Sequence, residues 1–72
     1  MEFDYSKLRG RIVEKYRSQR ELSKAIGVSE KTLSNKINNI IFFKQDDIML
    51  ICGRLEIPVN EISDYFFKRL SE

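Results

Sequence analysis

Two helix starts on either side of a single glycine turn fix what residues 18 to 39, SQRELSKAIGVSEKTLSNKINN, can become. Ser18 can accept a hydrogen bond from a free N–H of the first turn, and Glu21 three residues on can reach back to the Ser18 N–H, which is the pattern of a capping box. A helix is predicted from Gln19. Leu22 and Ile26 share one face, Ala25 leaves room for close approach, and Gly27 supplies the left-handed residue that ends a helix abruptly. Ser29 is a second N-cap. Leu33 and Ile37, again four apart, form the inward stripe of a second short helix to about Asn38, and its outward face carries Glu30, Lys31, Ser34 and Asn35.

This arrangement resembles the helix-turn-helix of the phage repressor and Cro family, whose recurring pattern is Q-x-x-L-A-x-x-x-G-V-S-x-x-x-L-S. Here it is carried by Gln19, Leu22, Ser23, Gly27, Val28, Ser29, Leu33 and Ser34 within a motif of 22 of the 72 residues. Ser23 stands in the alanine position and is small enough for helix contact. Asn39 stands where a glycine often follows the second helix, and asparagine tolerates the left-handed conformation. The chain also looks like the small Cro-like or modulator-of-repression proteins of temperate lactococcal phages. The resemblance implies an all-α, compact five-helix domain with a central helix-turn-helix, lambda repressor-like, filling residues 1–72 as a single domain.

The flanking sequence is compatible with that plan. Asp4 can cap a helix over about residues 5 to 16, with Leu8, Ile12 and Tyr16 as its stripe and Val13 widening it. Gly10 in mid-helix is less favourable than alanine by about 1 kcal/mol; either a neighbouring helix approaches there or the glycine is tolerated. Residues 39 to 44 read as a loop whose four consecutive apolar residues, Ile40 to Phe43, cannot all be buried, so one or two are expected near the surface. Asp46 and Asp47 suit the start of a helix over about 45 to 55, with Ile48, Ile51, Cys52 and Leu55 inward. Pro58 is placed to open a short last helix anchored by Ile57, Ile62 and Tyr65 or Phe66. Residues 68 to 72 are expected to fray.

Charge is segregated. Residues 7 to 44 hold ten Lys or Arg against three Glu, a net of +7, whereas residues 45 to 72 hold six acids against three bases. A basic half containing the motif is the footprint of a nucleic-acid binder, though solvated helix faces look the same in sequence. One cysteine cannot form an internal disulfide, and without histidine a zinc site lacks its usual ligands. Cys52 falls in an apolar stripe and reads as a small hydrophobe. With no histidine, no Gly-rich phosphate loop and no nucleophile beside a base, catalysis is not expected, nor is any cofactor or metal. No run approaches 18 apolar residues and the polar start MEFDYS is not a signal peptide, so the expected location is the bacterial cytoplasm.

In a helix-turn-helix the second helix enters the major groove by its N-terminal end. That marks Glu30, Lys31, Ser34 and Asn35 as base-contact candidates, and the resemblance carries the reading role to Glu30, Lys31 and Asn35. Lys31 suits guanine, Asn35 adenine and Glu30 cytosine N4. Glu30 also has a contrary reading, as a charge that favours the helix dipole and repels phosphate. The resemblance gives Gln19 a phosphate-holding role, and Ser18, Asn38, Asn39 and Lys44 flank the same face. Two readings follow. The leading one is a Cro-like regulator of a genetic switch that binds double-stranded operator DNA, often as a homodimer in this family. The alternative is a modulator that binds the cognate repressor protein and blocks its DNA-binding face. For it, the acidic residues of the second half could steer association and exposed aromatics among Phe42, Phe43, Tyr65 and Phe67 could anchor it.

Overall fold

Each predicted stripe becomes one wall of a single core. The structure, a computed structural model that describes residues 2–70, contains α1 (Ser6–Tyr16), α2 (Gln19–Ile26), α3 (Glu30–Ile37), α4 (Gln45–Leu55) and α5 (Ile62–Phe66), with a 3-10 turn at Val59–Glu61. Leu8 and Ile12 of α1, Leu22 of α2, Leu33 and Ile37 of α3, Ile51 and Leu55 of α4 and Phe66 of α5 are fully buried together. Helix α1 packs on α2, α4 and α5, and α2 packs on α3 and α4. The Cα radius of gyration, 11.2 Å, matches the roughly 11 Å of a packed chain of this length.

Local chemistry sets the helix ends as the sequence implies. The Ser18 hydroxyl accepts from the Glu21 N–H at 3.2 Å and the Ser29 hydroxyl from the Thr32 N–H at 3.0 Å. Gly27 is left-handed at φ 79°. Only half of the capping box forms at Ser18, because the Glu21 carboxylate turns to Lys24 at 3.6 Å. Ser23 is buried, and its hydroxyl donates to the Arg20 carbonyl at 2.7 Å, which satisfies a polar group in the α2 interior. Asp4 lies one residue before the N-cap, and its carboxylate accepts from the Ser6 N–H at 2.9 Å. Helix α4 ends at Glu56, left-handed at φ 57°, and the Arg11 Nε donates to the Leu55 carbonyl at 2.9 Å.

Four expectations are corrected or resolved. Nothing lies within 4 Å of a Cβ built on Gly10, so that glycine is tolerated on an exposed surface and no helix approaches it. Pro58 opens the 3-10 turn, and α5 begins only at Ile62. Ile40, Ile41 and Phe42 are all exposed, three residues where one or two were expected, because only Phe43 reaches the core from this loop. Fraying at 68–72 does not describe residues 68 to 70. The Asp4 N–H donates to the Lys68 carbonyl at 2.7 Å and the Leu70 N–H to the Glu2 carbonyl at 3.2 Å, with Phe3 and Arg69 paired antiparallel between them. Residues 71 and 72 lie outside the described residues. Beyond this bridge no strand occurs among the described residues, and no helix there is long and apolar enough to cross a membrane.

Candidate functional site

Two surfaces compete for the functional role, the outward face of α3 and an aromatic surface on the far side of the 39–44 loop. On α3, Glu30 and Lys31 are exposed at the N-terminal end while Ser34 and Asn35 are half-buried one turn later. All four base-contact candidates are therefore on one helix, but they do not stand out equally. Ser34 already accepts from Asn38 Nδ2 at 3.2 Å.

The flanking phosphate candidates divide in the same way. Ser18 is the α2 cap, Gln19 is half-buried and Lys44 is exposed. Asn38 accepts from the Arg9 guanidinium at 2.6 Å, and Arg9 also donates to the Ile37 carbonyl at 3.3 Å. Asn39, left-handed at φ 64°, spends its amide on the backbone of Phe3, accepting from its N–H at 2.9 Å and donating to its carbonyl at 3.0 Å. Asn39 thus braces the first residues of the chain against the end of α3, while the exposed Asn38 links α3 to Arg9 of α1, and the side-chain amides of both are engaged within the chain.

The basic half is also less exposed electrostatically than its sequence suggests. Lys7 pairs with Asp64, Arg11 with Glu14, Lys15 with Glu56, Lys24 with Glu21 and Lys36 with Asp47. Among the described residues Arg9, Arg17, Arg20, Lys31 and Lys44 make no ion pair. The Lys36–Asp47 pair is the one set into the protein, with side chains 10% and 17% exposed, and it ties α3 to α4. Burial opposes ionisation of Asp47, but hydrogen bonds from Lys36 and from the Lys44 N–H, with both ammonium charges, outweigh it and hold its carboxyl below the usual range. The acidic half is neutralised similarly, since Asp47, Glu56 and Asp64 are taken; Asp46 and Glu61 remain without an ion pair among the described residues, and Glu72 lies outside them.

The aromatic surface is built from both chain ends and the loop. Phe43 packs edge-on against Tyr5 and Phe66, with ring centroids 5.3 and 5.2 Å away, and Phe3 packs edge-on against Phe67 at 6.1 Å. Between them runs an open groove of about 310 Å³ lined by Phe3, Tyr5, Phe42, Phe43, Ile48, Phe66 and Phe67. Phe42 is 74% exposed and Phe67 52%. Of the four aromatic anchors expected from sequence, these two are available. Tyr65 is 8% exposed because its ring closes the core between α5 and α1, with the Lys7 ammonium 4.8 Å above it, and Phe43 is committed to the core edge. Phe3 was missed. Phe3 could have been found from its i, i+2 spacing to Tyr5, which places two rings on one side of an extended segment.

Cys52 is buried in the α4 stripe, and burial pushes its thiol up from the ordinary value, leaving it protonated at neutral pH. No group of three or more metal-ligating side chains occurs among the described residues.

Comparison with known proteins extends this picture. A family model described as "Protein of unknown function (DUF739)" matches residues 1–69. No curated protein matches the chain. Among solved structures, the solution structure of the modulator of repression (MOR) of the temperate bacteriophage TP901-1 from Lactococcus lactis is similar with a TM-score of 0.82 and 40% sequence identity, covering 93% of this chain and 90% of that one.

Proposed function

The chain belongs to the family of unknown function that its model matches over residues 1–69, and we propose from that premise that it is a modulator of repression, acting by binding a cognate phage repressor. The observation that carries this reading is the exposed pair Phe42 and Phe67 on the rim of the aromatic groove. A single exposed apolar side chain is ordinary, but two exposed rings bordering one apolar groove make a contiguous patch of the kind a partner covers, and aromatics are the residue type that anchors protein interfaces. The likeness to a modulator of repression supports the same choice over a Cro-like operator binder.

The mechanism needs no chemistry beyond occlusion. Rings of Phe42 and Phe67 enter a pocket on the repressor, exclude water and set the dissociation rate. Free carboxylates at Asp46 and Glu61 steer the approach to a basic surface. A repressor's DNA-binding face is such a surface, and a protein seated there keeps the repressor off its operator. The test is size-exclusion chromatography of the protein mixed with the cognate repressor, with Phe42→Ser as control. Co-elution lost in the variant supports the proposal; independent elution of the wild-type proteins overturns it.

Operator binding is the second reading, and exposed Glu30 and Lys31 at the open end of α3 are what favour it. Against it stand the ion pairs within the chain, mostly at its surface, that occupy five of the ten cations of the basic half, and the commitment of Asn38 and Asn39 to bonds within the chain.

A further inference from the structure

The ribbon made by the two ends of the chain has one closed edge and one open edge. In an antiparallel pair whose flanking bonds run from the Asp4 N–H to the Lys68 carbonyl and from the Leu70 N–H to the Glu2 carbonyl, the two residues opposite each other in the middle, Phe3 and Arg69, turn their own N–H and C=O groups outward. On the Phe3 side these groups are met by the Asn39 amide, which acts as a one-residue third strand. On the Arg69 side no hydrogen bond meets them among the described residues. An outward N–H and C=O on an exposed strand is a template for another strand.

We infer that the Arg69 edge receives an extended segment of the partner protein, carrying a carboxylate in register with Arg69 and an apolar residue two positions away that enters the aromatic groove. Residues directly opposite in an antiparallel pair put their side chains on the same face, so Arg69 shares the face of Phe3, which lines the groove together with Phe67. Alternation along a strand returns to that face every second residue, which fixes the spacing between carboxylate and apolar residue. Arg69 makes no ion pair among the described residues, whereas Lys68 next to it faces Asp4 at 3.9 Å. A second copy of this chain is a poor occupant, because antiparallel pairing of the same edge sets Arg69 against Arg69, and like charges opposite one another are unfavourable. The identity of the partner as the repressor rests on the modulator reading; the mode of attachment does not.

The test compares Arg69→Pro with Arg69→Ala in the full chain, titrated with the cognate repressor by calorimetry. Proline deletes the outward N–H but no bond of the ribbon, and alanine deletes only the charge. The expected result is a loss of no more than about five-fold for alanine and a further loss of about ten-fold for proline. Amide exchange of Arg69 in the wild-type protein, read by NMR, is expected to slow at least about ten-fold in the complex, a result that does not depend on the fold of either variant. Equal affinities for the two variants, with Arg69 exchange unchanged in a complex that does form, overturn the edge proposal and leave the modulator reading standing. Failure of the wild-type protein to bind the repressor overturns both.

Discussion

The side-chain amide of Asn39 holds both backbone groups of Phe3, at 2.9 and 3.0 Å, across 36 residues of sequence. The left-handed backbone of Asn39, φ 64°, aims the amide at Phe3, and Phe3 in turn forms a wall of the aromatic groove. One residue at the end of α3 therefore fixes the N-terminal segment, its pairing with Arg69 and the shape of the candidate binding surface.

Removing that amide has two consequences. Asn39→Ala loses both hydrogen bonds and exchanges a residue that tolerates the left-handed backbone for one that does not, a destabilisation of about 2 kcal/mol. For a domain of this size the melting temperature falls by about 8 to 16 °C. Asn39→Gly loses the bonds but not the backbone conformation, so its melting temperature falls less. Thermal unfolding followed by circular dichroism checks both, and identical loss for the two variants would show that the left-handed backbone carries no strain.

The Lys36–Asp47 pair gives the protein a defined acid sensitivity. The Asp47 carboxyl titrates below its unfolded value of 3.8, so its stabilisation is fully present above about pH 4 and is lost as pH falls through the folded value. Lys36→Met leaves a half-buried carboxylate, still held by the Lys44 N–H, without its ion-pair partner and is expected to destabilise by about 2 kcal/mol at pH 7, more than the Lys36→Met, Asp47→Asn double change. Urea unfolding at pH 7 and pH 3 measures both effects: the gap between wild type and Lys36→Met narrows at pH 3.

Phe42 and Phe66 separate binding from folding. Phe42→Ser alters an exposed ring and is expected to change stability by less than about 0.5 kcal/mol, while repressor affinity drops by about 2 kcal/mol or more. Phe66→Ala empties the core and is expected to cost about 3 to 5 kcal/mol of folding stability. Chemical unfolding and repressor titration, run on both variants, decide whether the two roles are distinct.

Much of the fold was legible because helix signals are local. The Ser18 and Ser29 caps, Gly27 and the apolar residues three and four apart each act over a turn of helix, so a linear reading captures them, and the resemblance supplied the assembly. What was not legible is non-local. Nothing near Asn39 announces that its amide will seek Phe3, and the ribbon at Phe3 and Arg69 pairs positions at opposite ends of the chain. The Ile40–Phe43 loop was read as partly buried because apolar residues usually are. Only the assembled core shows that Phe43 alone has a place in it. Charge misled in a related way. Composition counts cations, while the structure pairs Lys7, Arg11, Lys15, Lys24 and Lys36 with carboxylates drawn from α1, α2, α4, the left-handed Glu56 and α5.

Those ion pairs bear on the operator reading. If Arg17, Arg20, Lys31 and Lys44 are the cations available to phosphate, binding to duplex DNA has a log–log salt slope no steeper than about −3.6, the value for four neutralised phosphates. Fluorescence anisotropy between 50 and 200 mM salt, on the order of the range where such slopes are read, checks this. A slope of about −5 to −9, the value for roughly six to ten neutralised phosphates, would mean that the ion pairs open on DNA.

Operator occupancy tests the modulator proposal most directly. A labelled operator duplex is saturated with the cognate repressor, the protein is titrated in, and bound DNA and co-eluting protein are measured together. Capture of the repressor through the aromatic surface predicts stoichiometric release of the duplex, formation of a protein–protein complex without DNA, and no release by Phe42→Ser. Undiminished occupancy with the two proteins eluting independently would contradict it.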